Sequence, residues 1–204
     1  MKTPLGDFKY NLWQFLLAAF PITFCKEFTG EQLHFIFLIQ SAMLSGGQLD
    51  IEMGRGSGKT SIIECAAIWG LLYEHSYYTV IVGRRLNDDA IDILKSIVLH
   101  VKYNKNLYMM NKDLFLRISG KGCIQLNDRF IEGKGINCFF AGMHKHADDG
   151  QVIRPDFVFI DDIACLSLSP VRKAKYEKVL QEQVFALGGP NSPISAISTK
   201  TRGH

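Results

Sequence analysis

The sequence predicts an α/β fold built on a mostly parallel sheet with helices on both faces, and three observations carry that prediction. Apolar, β-branched runs alternate with helix-patterned segments along the chain, the order that parallel strands need for their crossovers. Two of those runs, YYTVIVGRR at 77–85 and RPDFVFIDDI at 154–163, hold unbroken apolar stretches, so both faces of each strand are expected to be covered. A third run, LDIEM at 49–53, leads directly into a glycine-rich loop and then into a helix.

Each element follows from local pattern. NLWQFLLAAFPITFC (11–25) reads as an N-terminal amphipathic helix packed on the domain; it contains Gln14, is broken by Pro21 and is too short to span a bilayer. TGEQLHFIFLIQSAML (29–44) is a helix with Thr29 as N-cap, closed by Gly46 and Gly47. After the strand at 49–53, TSIIECAAIWGLLYE (60–74) is a helix rich in strong formers. The strand at 77–85 precedes NDDAIDILKSIVLHV (87–101), a helix capped by Asn87 with Asp88 and Asp89 in its first turn, where acidic charge suits the helix dipole. The stretch 102–142 reads as β-rich, with LFLRIS, GCIQLN and NCFFAG as short strands between glycines and charges. Beyond the strand at 154–163, SPVRKAKYEKVLQEQVFALGG (169–189) is a helix with Pro170 in its first turn, and SPISAIST (192–199) is a final strand. No repeat or low-complexity linker intervenes, so residues 1–204 are expected to form a single domain, with 1–28 as an N-terminal helical segment.

Composition narrows the class further. A chain of 204 residues, 47% hydrophobic and 21% charged, can bury one good core. Its 23 basic residues are nearly matched by 20 acidic ones, so charge alone does not point to nucleic acid. Five scattered cysteines with no C-x-x-C pair suggest neither a disulfide framework nor a zinc site, which fits a reducing, intracellular setting.

The chemistry lies in GRGSGKT. A phosphate-binding loop needs glycines so that successive backbone N–H groups can turn inward, a lysine for the β and γ phosphates, and a hydroxyl for magnesium. Gly54, Gly56, Gly58, Lys59 and Thr60 supply these in order, with Arg55, Ser57 and Ser61 completing the candidate ATP-binding set. The strict pattern asks for glycine at position 53, which is Met53 here. A loop that only joined strand to helix would not require Lys-Thr at the helix start. Nucleotide chemistry at such a loop also needs a carboxylate at a neighbouring strand end to hold Mg²⁺ and a second to polarise the attacking water. FVFIDDI offers Asp161 for the first role and Asp162 for the second.

Together, GRGSGKT with arginine inside the loop, RPDFVFIDD and SAISTKTRGH resemble the ATPase domain of large terminase subunits, the motors that move DNA into viral procapsids, over about residues 32–204. The resemblance implies an ASCE-type P-loop NTPase core acting in the cytoplasm of an infected host cell. It implies catalytic roles for Lys59, Asp162 and Arg55, the last sensing or stabilising the γ-phosphate, and metal binding by Thr60 and Asp161. It further implies adenine recognition by Gln32, whose amide both donates and accepts, with Phe28 stacking on the ring. Ser198 and Thr199 would couple phosphate loss to motion. The partners implied are double-stranded DNA, a portal, a small terminase subunit and further copies in a homo-oligomeric ring, with no membrane.

Two features depart from that pattern. Asp162 stands where the superfamily usually has glutamate, one methylene longer, and the RNase H-type nuclease domain of terminases would lie beyond His204. A helicase or strand-exchange ATPase, and a nucleotide-binding assembly module without turnover, are the competing functions. HKHADDG (144–150), with His144, His146, Asp148 and Asp149, reads as a solvated loop rather than a metal cluster. Arg84, Arg85, Lys102 and Lys105 read as solvated surface charges with the option of touching phosphate.

Overall fold

In the computed structural model the described residues are 8–83, 89–111, 114–118, 122–135, 145–146, 152–161, 170–171, 174, 178 and 195–201, and within 145–146, 152–153 and 195–201 only Thr199 has a described side chain. The chain begins with α1 (Leu12–Ala19), started by the Asn11 side chain accepting from the Gln14 N–H at 3.0 Å. It stops before Pro21, which cannot continue a helix, so the expected helix to residue 25 is shorter. Its buried side, Leu12, Phe15, Leu16 and Ala19, packs on α2 (Gly30–Ser45) and the helix after it. Thr29 caps α2 as expected and forms a reciprocal capping box with Gln32; Gly46 ends it at φ 77°.

β1 (Gln48–Met53) alternates, with Gln48, Asp50 and Glu52 exposed and Met53 buried. α3 (Lys59–Leu72) is buried almost all round, the mark of a helix inside the domain rather than on it. Trp69 is wholly buried, and its indole N–H donates to the Phe8 carbonyl at 2.8 Å, tying the start of the chain to this central helix. β2 (Tyr78–Gly83) is buried on both faces, as its unbroken apolar run requires. α4 (Ile91–Tyr103) is preceded by a helical turn of π type at residues 89–90, and the expected start at Asn87 lies outside the described residues.

The middle differs most from expectation. α5 (Lys105–Met110) is a short helix capped by Asn104, whose side chain accepts from the N–H groups of Asn106 and Leu107. β3 (Leu116–Ile118) and β4 (Cys123–Leu126) occur where strands were expected, and β5 (Arg129–Gly135) is a seven-residue strand that the pattern did not reveal. Asn127, at φ 55°, turns β4 into β5. NCFFAG falls outside the described residues. β6 (Lys145–His146) and β7 (Val152–Ile153) pair as a small antiparallel ribbon, so residues 145–146 are strand rather than loop. β8 (Phe157–Ile160) is buried on both faces, and β9 (Ser195–Thr201) closes the described chain. Of the helix expected at 169–189, the described residues 170, 171, 174 and 178 are helical.

Seven strands form one sheet in the order β1-β9-β8-β2-β5-β4-β3. The five from β1 to β5 are mutually parallel, and β4 runs antiparallel to both neighbours. The sheet is therefore mostly parallel, as predicted. The sequential neighbours β1 and β2 are three places apart, the crossover topology that places loops from several strands at one sheet end. Among the described residues no helix is long and apolar enough to cross a membrane.

Close contact between α4 and the sheet depends on two glycines. A Cβ on Gly83 would lie 2.7 Å from the Ala90 backbone nitrogen and 2.8 Å from the Asp89 Cβ, and one on Gly133 would meet Leu94 at 3.0 Å. Gly83→Ala is accordingly expected to lower stability by about 1–3 kcal/mol through overpacking, read as a lower urea midpoint at unchanged slope.

Candidate active site

The glycine loop starts where β1 ends. Met53, which stands at the glycine position of the strict pattern, is the last residue of the strand, 1% exposed and in register with Thr201. The turn proper is residues 54–58, so position 53 serves the core and needs no glycine. Gly56 and Gly58 have φ of 75° and 79°, left-handed values that a side chain would strain by roughly 1–2 kcal/mol. The Ser57 N–H donates to the Gly54 carbonyl at 3.3 Å, which closes the loop. Gly58 is the N-cap of α3 and offers no capping side chain, so the helix enters the site with first-turn N–H groups that have no intrahelical acceptor. Such an end attracts an anion.

Four charged or hydroxyl groups gather there. Lys59 is only 7% exposed, and its ammonium donates to the Gly54 carbonyl at 3.1 Å. Thr60 Oγ1 donates to Asp161 Oδ2 at 2.8 Å, across 101 residues of sequence. Asp161 follows the last residue of β8, where its own N–H donates to the Val82 carbonyl at 3.0 Å. Its other carboxylate oxygen, Oδ1, accepts from Thr199 Oγ1 at 3.1 Å, and Thr199 is fully buried on β9. One carboxylate thus receives a hydroxyl on each oxygen, from α3 on one side and β9 on the other.

These residues suit phosphate and magnesium. Ser57 Oγ is buried in the loop without a hydrogen-bond partner, and nothing lies within 4 Å of a Cβ built on Gly54 or Gly56, so the loop encloses an open cradle with an unused donor. Thr60 and Asp161, joined by a 2.8 Å hydrogen bond, put a hydroxyl and a carboxylate together, the oxygen donors that a hard cation such as Mg²⁺ would take. Among the described residues no group of three or more His, Cys, Asp or Glu side chains is placed to hold a metal ion.

The remaining sequence-predicted residues divide. Arg55 is exposed in the loop and Ser61 is half-buried in the first turn of α3. Phe28 is half-buried, its ring 5.2 Å from that of Phe24. Gln32 reaches the loop itself: Nε2 donates to the Ser57 carbonyl at 2.8 Å while Oε1 accepts from the Thr29 N–H at 2.9 Å. Both ends of its amide are therefore engaged inside the protein. Ser198 lies in β9, in register with Asp50 and Ile160. Asp162, Arg84, Arg85, His144, Asp148 and Asp149 fall outside the described residues, as does the side chain of His146. Lys102 and Lys105 are exposed where α4 meets α5.

Sequence reasoning missed one cluster behind the loop. Glu64, one turn beyond Thr60, is 7% exposed, accepts from Ser96 Oγ at 2.7 Å and lies 3.7 Å from His100 Nε2. This ties α3 to α4 and steadies the helix that carries the loop. The signal available was a lone glutamate in an apolar helix. Next to it, burial first and the Glu64 charge second push the Cys65 thiol well up from its ordinary value, so it behaves as a small core side chain.

No protein-family model matches the sequence, and no curated protein does. Solved structures do. The large terminase of bacteriophage HK97 superposes with a TM-score of 0.57 at 15% identity, over 94% of this chain and 37% of the HK97 chain. This chain shares its fold with part of the HK97 large terminase. The ATPase domain of the Thermus phage P74-26 large terminase, in a point-mutant form, gives 0.45 at 17% identity over 76% of this chain and 60% of that one. The bacteriophage phi29 genome packaging motor gives 0.47 at 10% identity, over 80% and 46%. The chain thus spans less than two thirds of each of these structures. In this terminase-type fold the loop after β1 and the acidic tip of β8 come from strands that do not pair with each other, because β9 lies between them.

Proposed function

We propose that the chain is the ATP-hydrolysing motor domain of a viral large terminase, driving double-stranded DNA into a procapsid. The observation that carries this reading is the 2.8 Å contact between Thr60, at the start of the helix behind the glycine loop, and Asp161, at the tip of β8. That contact supports a site in which the glycine loop takes phosphate and the strand tip takes metal. The HK97 likeness supports the same reading at the level of fold.

In this function Lys59 exchanges the Gly54 carbonyl for phosphate oxygens, and the N–H groups of 54–60, with the Ser57 hydroxyl, wrap the β-phosphate. Thr60 and Asp161 hold Mg²⁺, which when bound neutralises charge on the β- and γ-phosphate oxygens. Asp162 orients the attacking water, and Arg55 closes on the γ-phosphate, where a guanidinium offsets charge developing in the transition state. Thr199, bonded to Asp161, registers the change at the carboxylate and passes it to β9, with Ser198 beside it in the strand. The DNA, portal, small subunit and ring of like subunits belong to this proposal and rest on the terminase resemblance.

The test is steady-state phosphate release from ATP, with and without linear double-stranded DNA. Wild type is expected to turn over with magnesium, to respond to DNA and to stop in chelator. Asp162→Asn should release phosphate at least tenfold more slowly, because the amide cannot accept the proton of the water it orients. Binding of ATP with no release under any of these conditions would favour the assembly module instead.

A further inference from the structure

We propose that Gln32 is a positioning residue for the phosphate cradle: by holding the Ser57 carbonyl toward α2, it fixes the Ser57–Gly58 peptide with the Gly58 N–H facing the bound phosphates. The inference rests on the nucleotide reading above and adds to it a role for this side chain distinct from base recognition.

No described peptide bond is cis, so the C=O of Ser57 and the N–H of Gly58 point in opposite directions across one plane. Gln32 Nε2 holds that carbonyl at 2.8 Å from the α2 side, which leaves the Gly58 N–H directed away from α2. Gly58, at φ 79°, has no side chain to resist a rotation of this peptide about its own φ, so the Gln32 bond is what opposes the flip on that side. A flipped peptide would turn a carbonyl oxygen toward an anion in place of a donor.

The lock is itself anchored. Gln32 Oε1 accepts from the Thr29 N–H at 2.9 Å, and the Gln32 N–H donates to Thr29 Oγ1 at 3.2 Å, so the side chain that braces the loop is half of the capping box of a 16-residue helix. The two partners also fix which end of the amide is which, since one is a donor and the other an acceptor. A Cβ on Gly58 would meet Nε2 at 3.4 Å, so the amide lies directly against the peptide that it orients.

The experiment is calorimetric binding of Mg·ATP, Mg·GTP and magnesium tripolyphosphate to wild type, Gln32→Glu, Gln32→Met and Thr29→Ala. Glutamate keeps the acceptor for Thr29 and loses the donor to Ser57, and Gln32→Met, which loses the donor without adding charge and must weaken all three ligands as well, separates that loss from repulsion of the phosphates; Thr29→Ala weakens the helix cap but keeps the N–H that Gln32 accepts from. The expected result is that Gln32→Glu weakens all three ligands by a similar factor, about tenfold or more, and that Thr29→Ala shifts them by less than threefold. The proposal is overturned if Gln32→Glu weakens ATP and leaves tripolyphosphate unchanged, because the side chain then reads the base. It is overturned too if neither ligand moves, or if Thr29→Ala matches Gln32→Glu, which would make the effect one of helix stability. Wild type that binds none of the three removes the nucleotide reading itself, and this inference with it.

Discussion

Asp161→Asn is expected to slow phosphate release by about 100- to 1,000-fold, the usual scale for losing a preorganised charge at a phosphoryl-transfer site, while the protein stays folded. The fold should survive because asparagine keeps one carbonyl acceptor, and the Thr60 and Thr199 hydroxyls, which now donate at 2.8 and 3.1 Å, can turn to accept from its amide nitrogen. What goes is the negative charge that attracts magnesium. A titration of the rate against Mg²⁺ should therefore show both a lower plateau and a midpoint at higher metal concentration. A rate within twofold of wild type at the same magnesium would mean that Asp161 does not hold the metal.

Lys59→Ala should act on binding before chemistry. The ammonium is 7% exposed and already sits 3.1 Å from the loop carbonyl of Gly54, so it needs little reorganisation to take a phosphate oxygen. Charge-assisted hydrogen bonds of this kind contribute about 1.5–3 kcal/mol, which corresponds to a loss of roughly 10- to 150-fold in affinity for Mg·ATP. Calorimetry reads the affinity, and a urea melt run in parallel shows that the variant is folded at the concentrations used. Unchanged affinity would place the triphosphate elsewhere.

The parts of this site legible in the sequence are those written in adjacent residues. Glycine at 54, 56 and 58 followed by Lys59 and Thr60 encodes a turn and its donors, and four apolar residues before Asp161 encode a strand with an acid at its tip. Order and spacing imply that the two meet, and Thr60 and Asp161 lie 2.8 Å apart. The Gln32–Ser57 bond was not legible, since nothing in a glutamine near a helix start says that its amide crosses 25 residues to a loop carbonyl. β5 was hidden for a different reason. RFIEGKG places two glycines and three charged residues in seven positions, a composition that reads as loop, yet Gly133 is small because Leu94 and Ala90 of the α4 side pack directly over it. Close packing chose the residue that propensity would reject. α5 was missed because six residues are too few to show a helical period.

The place of β9 in the sheet has a mechanical meaning. With one strand inserted between the glycine turn and the acidic tip, the gap across the catalytic cleft is two strand spacings, about 9.5 Å, and is set by a backbone ladder on each side of a single ribbon. Sliding that ribbon by one residue would carry Thr199 to the far side of the sheet and strip Asp161 of a donor. Whatever grips the far end of the ribbon therefore holds a lever whose short arm ends on the Asp161 carboxylate.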